Sequence, residues 1–306
     1  MTTTVAGSSV NAPGPLVSPG PAARTTGNRR LPRQLLFTSV LFVFGVYFLA
    51  PVLWLAIAST KDTGDLYGTF GFWFGRRFAL GSQLADLFTN DDSIYLRWLA
   101  NSALYSLVGA AVATLFAGAC GYAMAKYEFR GRELAFSVVL GGVLVPGTAL
   151  AIPLYLLLSE VGMANTYWSV LLPSMVSPFG VYLSRIYAAA SVPDELLASA
   201  RVDGAGELRT FVSIALRLMS PGLVTVFLFQ FVAIWNNFLL PLVMLSDEHT
   251  YPVTLGLYTW NSQVTHYPEY FSLTIIGSLV SVIPLVIAFL MLQRFWRNDL
   301  GAGAIK

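Results

Sequence analysis

The sequence predicts an all-α integral membrane protein with six transmembrane helices and both termini on the cytoplasmic side. Three observations carry this expectation. The chain is 56% hydrophobic and only 11% charged, against roughly 25% charged for an ordinary soluble domain. Its uncharged stretches include six runs of 24 to 29 residues, each longer than the about 20 residues that a spanning helix needs at about 1.5 Å per residue. Its cations fall on alternate sides of those runs. With the N-terminus inside, segments 1–33, 126–133, 185–217 and 294–306 carry 4, 3, 4 and 3 Lys or Arg, 14 of the 18 in the chain. The other four lie in the outer segment 61–97, the longest loop, where the positive-inside rule is weakest. Acids lean the other way, nine outside and seven inside. Buried helices of a very large soluble core are the alternative, and six such runs argue against it.

Residues 1–33 contain no acid and are rich in Gly, Pro, Ser and Thr, the composition of a disordered cytoplasmic tail. The first span is expected over about 34–60. Arg29-Arg30 ahead of it and Ala56-Ile57-Ala58 near its end resemble a secretory signal. The run is much longer than a signal core of roughly 7–15 residues, and a long polar tail precedes it. In the loop 61–97, the Gly, Phe and Trp content of Tyr67 to Phe78 suits either a compact cap on the membrane or a loose linker. The second span, about 98–125, repeats small residues at four-residue spacing, Ala113, Ala117, Gly121 and Ala125, a stripe that lets helix backbones approach closely. Cys120 lies in the same apolar run and reads as packing.

The third span, about 134–159, carries Pro146, Gly147 and Pro153, and the fourth, about 165–184, carries Pro173 and Pro178. Proline interrupts the helical ladder and kinks it. Several kinked helices suit a wall that opens and closes, and kinks also occur in static membrane proteins. The fifth span, about 218–246, contains Gln230, Trp235, Asn236 and Asn237, the candidate translocation path. Polar side chains there are costly against lipid, so they should face a water-filled path or the protein interior; hydrogen bonds between helices explain them equally well. The sixth span is expected over about 270–293, followed by a cytoplasmic tail, 294–306. The transmembrane domain is thus 34–293, with a charged cytoplasmic loop at 185–217.

Several chemistries are missing. The chain has no Gly-x-x-x-x-Gly-Lys-Ser/Thr phosphate loop and no His-Glu-x-x-His zinc signature. Its two histidines, His249 and His266, fall in one outer loop. No base stands at bilayer depth for an intramembrane serine protease. No Asp, Glu, Lys or Arg lies within the runs, as a proton-coupled carrier would need. No catalytic residue, metal site or cofactor is therefore expected in this chain, and an energy source belongs to another polypeptide. The net charge of +2 is spread along the inner membrane face and does not argue for nucleic acid.

The charged island Arg185 to Arg217 is the most informative stretch. Within it, Ser191 is expected to cap a short helix with Asp194 as its capping-box partner. Pro193 is tolerated in a first turn, and Asp194 and Glu195 complement the positive end. The helix runs through Leu196, Leu197, Ala198, Ser199 and Ala200, and Asp203-Gly204 supplies the turn that ends it. Small residues at 198–200 let another surface come close. An ordinary amphipathic loop helix would look much the same.

Pro193-x-Glu195-Leu196-x-x-x-Ala200-x-x-Asp203-Gly204-Ala205, followed by Phe211, Ile214, Leu216 and Pro221, resembles the cytoplasmic coupling motif of one family. This family is the inner-membrane permease subunits of binding-protein-dependent ABC importers. The resemblance extends over about 34–306. Asn101-Ser102 opens the second span and the stretch Ala123 to Gly131 closes it. Ile152-Pro153-Leu154-Tyr155 and Asn165-Thr166 mark the third outer turn. Trp235-Asn236-Asn237-Phe238 and the ending Gly301 to Lys306 are similar to the carbohydrate branch, in particular the maltose-type second permease.

The resemblance implies a type I importer permease fold in a bacterial inner (plasma) membrane. The partners it implies are a second permease subunit, two ATP-binding subunits that hold ATP and Mg, an extracytoplasmic solute-binding protein and membrane lipid. It implies that Glu195, Leu196, Ala198, Ser199, Ala200, Asp203, Gly204 and Ala205 form the ATPase-coupling element. It also implies that the tail with Gly301, Gly303 and Lys306 reaches the ATPase. The loop 247–269, with Tyr258, Trp260 and Tyr267, would face the binding protein, although interfacial anchoring suits those rings too. Two departures stand out. The family's Glu-Ala-Ala is Ala198-Ser199-Ala200 here, so the acid that pairs with the ATPase is absent, leaving Arg217 or Glu195 to compensate. Its Leu-Pro pair is Leu216-Arg217. A permease for an amino acid, peptide or polyamine shares the motif. A self-sufficient carrier or channel, or a scaffold without a solute, are the remaining alternatives.

Overall fold

The structure, a computed structural model, describes the backbone of residues 30–302 and the side chains of residues 35–293 and 295. Among the described residues it is helical, with no strand. Of the expected tail, positions 1–29 lie outside the described residues, and 30–33 already belong to the first helix. That helix, α1 (Arg30–Ala58), is apolar and exposed over its length from Leu35 to Leu53. The boundary between the chain's two units falls within it, at Ala50–Pro51.

Within the second unit, α2 (Thr63–Gly68) and α3 (Leu80–Thr89) fold the loop after the first helix into a compact cap. Lys61 is 2% exposed, and its Nζ donates to Thr69 Oγ1 at 3.0 Å and to the Phe70 carbonyl at 2.9 Å. The buried carboxylate of Asp65 accepts the Arg76 backbone N–H at 2.6 Å. Buried charges satisfied by local backbone exclude the looser of the two readings of this loop. The Tyr67 ring stacks on Phe271 at 5.0 Å, tying the cap to the last helix.

The second unit is organised around α4 (Ile94–Lys126), which packs most extensively against the later helices Pro178–Ser191 and Ser220–Trp235. Ala113, Ala117 and Gly121 are buried, with Ala125 half-buried, so the small-residue stripe is a packing seam. A Cβ at Gly121 would stand 2.6 Å from the backbone nitrogen of Arg185. Gly121→Ala should therefore force two helices apart and destabilise the fold by about 1–3 kcal/mol, as overpacking does. A lower melting temperature of the detergent-solubilised protein checks this.

Proline then breaks the third and fourth runs. α5 (Arg132–Leu144) and α6 (Gly147–Glu160) meet at 101°. Val145, which precedes Pro146, is held extended at ψ 119°, as a residue before proline must be. The continuous span expected over 134–159 is thus two helices. α7 (Tyr167–Ser174) and α8 (Pro178–Ser191) are separated at Met175 to Ser177. Ser177 Oγ caps α8 by accepting the Gly180 N–H at 3.1 Å, with Pro178 in the first helical position. The expected end at 184 is extended to Ser191.

After the charged hairpin, α9 (Asp194–Val202), come α10 (Glu207–Thr210), a π-helical turn over Phe211–Ala215 and α11 (Leu216–Leu218). α12 (Ser220–Trp235) departs from them at 79°. It ends where Asn236 to Phe238 interrupt the run expected to 246, and α13 (Leu239–Met244) follows. α14 (Val253–Ser262) follows and packs against α15 (Glu269–Ala302). Among the described residues, three helical stretches, Leu35–Ala58, Leu80–Lys126 and Glu269–Gln293, are each long and apolar enough to cross a bilayer, and the number is five where each bent pair counts as one span.

The first turns of α4 hold the segment after α13. Asn101 Nδ2 donates to the carbonyls of His249 at 2.9 Å and Tyr251 at 3.0 Å, while its Oδ1 accepts from the Tyr167 hydroxyl at 3.1 Å. Ser102 Oγ accepts the Val253 N–H at 2.8 Å. Trp98 and Tyr105 donate to the carbonyls of Glu248 and Thr250, each at 2.8 Å. Asn165, in the left-handed region at φ 57°, accepts the N–H groups of Ser246 and Asp247 at 2.8 and 3.0 Å. These bonds satisfy backbone groups that no regular element pairs, next to the aromatic core of Tyr95, Trp98 and Trp260.

Candidate functional site

Residues 191–207 form a braced helical hairpin. Ser191 does not cap α9: it is the last residue of α8, and its Oγ donates back to the Tyr187 carbonyl at 2.6 Å. The break belongs to Val192, which precedes Pro193 and is held out of the helix at ψ 103°. Pro193 occupies the cap position without a side-chain bond. Asp194 instead accepts from Lys126 Nζ at 2.9 Å, tying the start of α9 to the end of α4. The Lys126 side chain is only 7% exposed, so this pair is partly shielded, unlike an open surface bridge.

The far end of α9 closes as a Schellman motif. The Ala205 N–H bonds to the Ala200 carbonyl at 2.9 Å and the Gly204 N–H to the Arg201 carbonyl at 3.1 Å, the 6→1 and 5→2 pair. Gly204 stands at φ +76°. No atom lies within 4 Å of a Cβ built there, so backbone conformation alone requires glycine. One turn on, Arg201 Nε donates to Glu207 Oε1 at 2.9 Å, and Tyr127 donates its hydroxyl to Glu207 Oε2. The Arg201 guanidinium first, and then the Tyr127 hydroxyl, hold the Glu207 carboxyl below the ordinary glutamate range. Burial, and after it the bond to Glu207, pushes the Tyr127 hydroxyl up.

A depressed carboxylate contributes stability above its unfolded value, about 4.3, and that contribution is lost as pH falls through the folded value. Glu207→Gln should therefore lower the melting temperature at pH 7, and the gap from wild type should close progressively on acidification below about 4.3. A pH series of melting curves reads both.

One face of α9 is anchored and the other is free. Leu197 and Ala200, three residues apart, are buried, Leu197 against Tyr122, Ala188, Val192, Ala215 and Met219. Glu195, Leu196, Ala198, Ser199, Asp203 and Gly204 are exposed, and Ala205 is half-buried. Leu196, Ser199, Ala200, Asp203 and Ala205 line a cleft of about 350 Å³ together with Arg209, Thr210, Ser213 and Ile214. The structure thus brings five of the eight coupling candidates to one cleft. Leu197, Arg209, Thr210 and Ser213 were not among the candidates. The i, i+3 spacing of Leu197 and Ala200 was a readable signal for the anchor; the others reach the cleft only through the hairpin. Arg217 is exposed and lies outside the cleft lining.

The other candidates are placed as follows. Gln230 Nε2 donates to the Ser174 carbonyl at 3.0 Å, bracing α12 against the α7–α8 break. Trp235 is buried and stacks on Phe231 at 5.7 Å. Asn236 Nδ2 donates to the Val232 carbonyl at 2.9 Å, and Asn237 Oδ1 accepts the Leu240 N–H at 3.3 Å. Trp260 is buried against Trp98, whereas Tyr258 and Tyr267 are about half exposed. Gly301 falls in the last turn of α15, and Gly303 and Lys306 lie outside the described residues.

A family model described as "Binding-protein-dependent transport system inner membrane component" matches residues 109–298. The chain is 36% identical over 213 residues to the arabinooligosaccharides transport system permease protein AraQ of Halalkalibacterium halodurans, covering 70% of this chain and 75% of that one. It is 31% identical over 282 residues to the lactose transport system permease protein LacG of Rhizobium radiobacter, covering 91% and 98%. Among solved structures, a bacterial ABC transporter involved in import of the acidic polysaccharide alginate contains a chain of the same fold, with a TM-score of 0.76 and 19% identity. The match covers 87% of this chain and 98% of that one.

Proposed function

Since this chain belongs to the family of binding-protein-dependent transport system inner membrane components, we propose that it is the permease subunit of a sugar importer. It translocates a mono- or oligosaccharide into the cytoplasm across the plasma membrane. The names of the relatives support the sugar assignment: they describe permeases for arabinooligosaccharides, lactose and diacetylchitobiose. The chain acts without chemistry of its own. It pairs with a second permease, receives solute from an extracytoplasmic binding protein, and is driven by two ATPase subunits that hold ATP and Mg. In this reading the chain crosses the membrane six times, with both termini, the 185–217 loop and the 294–306 tail in the cytoplasm and Gly301, Gly303 and Lys306 at the ATPase interface.

The observation that carries this reading is the asymmetry of the α9 hairpin. Its exposed side presents Leu196, Ser199 and Asp203 around a cleft, and its buried side is fastened to several helices. Force on the exposed face reaches α4 through Lys126 and Tyr127. It reaches α8 and the base of α12 through the cluster around Leu197, which includes Ala188 and Met219. Helices packed side to side move as units rather than deforming continuously, so a grip on α9 becomes a displacement of the transmembrane wall.

Proteoliposomes containing the intact complex and its binding protein test the proposal. ATP-dependent accumulation of arabinotriose, lactose or diacetylchitobiose is the expected result, with none when the ATPase subunits are omitted. ATP-independent uptake by this chain alone would contradict it, and stimulation only by amino acids or peptides would reassign the solute.

A further inference from the structure

Between α14 and α15 lies an open cleft of about 400 Å³, lined by Phe238, Thr254, Leu257, Tyr258, Asn261, Thr274, Ser278 and Ser281. We propose that this cleft is a contact site for one unit of a neutral sugar within the permease, an inference that rests on the importer reading and narrows its solute.

Three features of the lining point to a sugar. First, the rings of Phe238 and Tyr258 meet edge to face with centroids 4.7 Å apart, and Tyr258 is 50% exposed. It offers a ring face on which the C–H side of a pyranose or furanose can pack and a hydroxyl that no described residue bonds. Second, α15 carries hydroxyls at 274, 278 and 281, an i, i+4, i+7 stripe on one face, in a helix otherwise apolar enough to span a bilayer. Each donates to its own helix, Thr274 to Tyr270 O at 2.7 Å, Ser278 to Thr274 O at 2.6 Å and Ser281 to Ser278 O at 2.7 Å. Their free lone pairs therefore present a row of acceptors to whatever enters. Asn261 is exposed, and its side-chain amide, which bonds no described residue, both donates and accepts. Sugar hydroxyls need this mixture.

Third, the lining contains no charge. A carboxylated sugar or an amino acid would meet no counter-charge here and would lose hydration without return. The cleft therefore selects for neutral solute, in contrast to the acidic polysaccharide carried by the structural neighbour. Its volume is at the low end of the roughly 300–1,000 Å³ of small-molecule sites, so it takes one ring at a time. Depth also fits a path. At about 1.5 Å per residue, Ser281 lies about 16 Å beyond Tyr270, near the middle of a hydrocarbon core of about 30 Å. Polar groups at that depth face water or the protein interior rather than lipid.

The experiment uses the assembled complex with its binding protein in membrane vesicles. Cys120 is the only cysteine, so Ser278→Cys and Asn261→Cys in a Cys120→Ser background give single reporters. A charged, water-soluble methanethiosulfonate should label both, and arabinotriose or lactose should slow labelling, whereas a uronic-acid trisaccharide should not. Tyr258→Ala should raise the half-saturating sugar concentration for uptake about tenfold, the equivalent of about 1.4 kcal/mol, with Tyr258→Phe recovering part of it. Reporters that stay unlabelled, or are labelled without protection, in a complex whose wild type imports a neutral sugar would overturn the inference alone. Protection by the uronic-acid sugar alone would overturn its neutrality. A wild-type complex that imports none of the tested sugars would overturn the importer reading beneath it.

Discussion

Gly204→Pro should abolish ATP-driven uptake while leaving the chain inserted in the membrane. Gly204 sits at φ +76°, and proline is fixed near −65°, so the turn cannot form. Proline also deletes the N–H that closes on the Arg201 carbonyl at 3.1 Å. The hairpin would open at the point that aims Asp203 and Ala205 at the cleft, while Leu197 and the transmembrane seams stay in place. The expected loss of uptake exceeds about tenfold, since displacing the docked geometry by more than about 1.4 kcal/mol suffices. A graded series separates backbone from bulk. Asparagine tolerates the left-handed region and should retain most activity, whereas alanine should lose about 1 kcal/mol of hairpin stability. Asp203→Lys should impair uptake for another reason, placing a second cation beside Arg209 in the cleft. Uptake and ATPase rates measured together distinguish uncoupling from loss of assembly. Normal uptake by Gly204→Pro would show that the hairpin does not couple.

Asn101→Leu should be the most damaging single change outside the hairpin. Its amide satisfies two carbonyls, those of His249 and Tyr251, and receives the Tyr167 hydroxyl. Leucine is similar in size and removes all three bonds at once. The Tyr167 hydroxyl is on an exposed residue and can turn to water, whereas each of the two orphaned carbonyls costs about 1–3 kcal/mol, so the total is roughly 2–6 kcal/mol, a large part of typical fold stability. Asn101→Asp orphans the same two carbonyls and sets a carboxylate against them, so it should lower the melting temperature by a comparable amount. Yield and melting temperature of the solubilised protein measure both variants. An unchanged melting temperature for Asn101→Leu would mean that these bonds do not hold the segment after α13.

Helix and membrane character were legible because they rest on long runs without charge, and 34–60, 98–125 and 270–293 correspond to α1, α4 and α15. The intervening runs were read as kinked at proline, and the structure breaks them into separate helices. A window free of charge cannot distinguish one span from two helices folded at 101° about Val145–Pro146, although proline marks where the break falls. The Asp203-Gly204 turn was readable because a left-handed residue after a short helix needs glycine. Ser191 was misassigned because local cap propensity competes with continuation of α8, and the proline at 193 moved the break one residue on. The Tyr127–Glu207–Arg201 brace joins segments 80 residues apart, beyond the reach of local pattern. The α14–α15 cleft was invisible for the same reason: Phe238, Tyr258 and Ser278 lie on three separate segments, too far apart in sequence for local pattern to join.

Cysteine cross-linking from α9 is the most direct test of the proposed drive. In a Cys120→Ser background, Ser199→Cys places one thiol on the exposed face of the hairpin. In inner-membrane vesicles bearing the whole complex, a short thiol-to-amine cross-linker should join this position to an ATPase subunit, and Val108→Cys, mid-way along the apolar α4, should not. Failure to capture any ATPase from Ser199→Cys, or labelling of that thiol by an impermeant reagent from outside intact cells, would contradict a lever gripped from the cytoplasm.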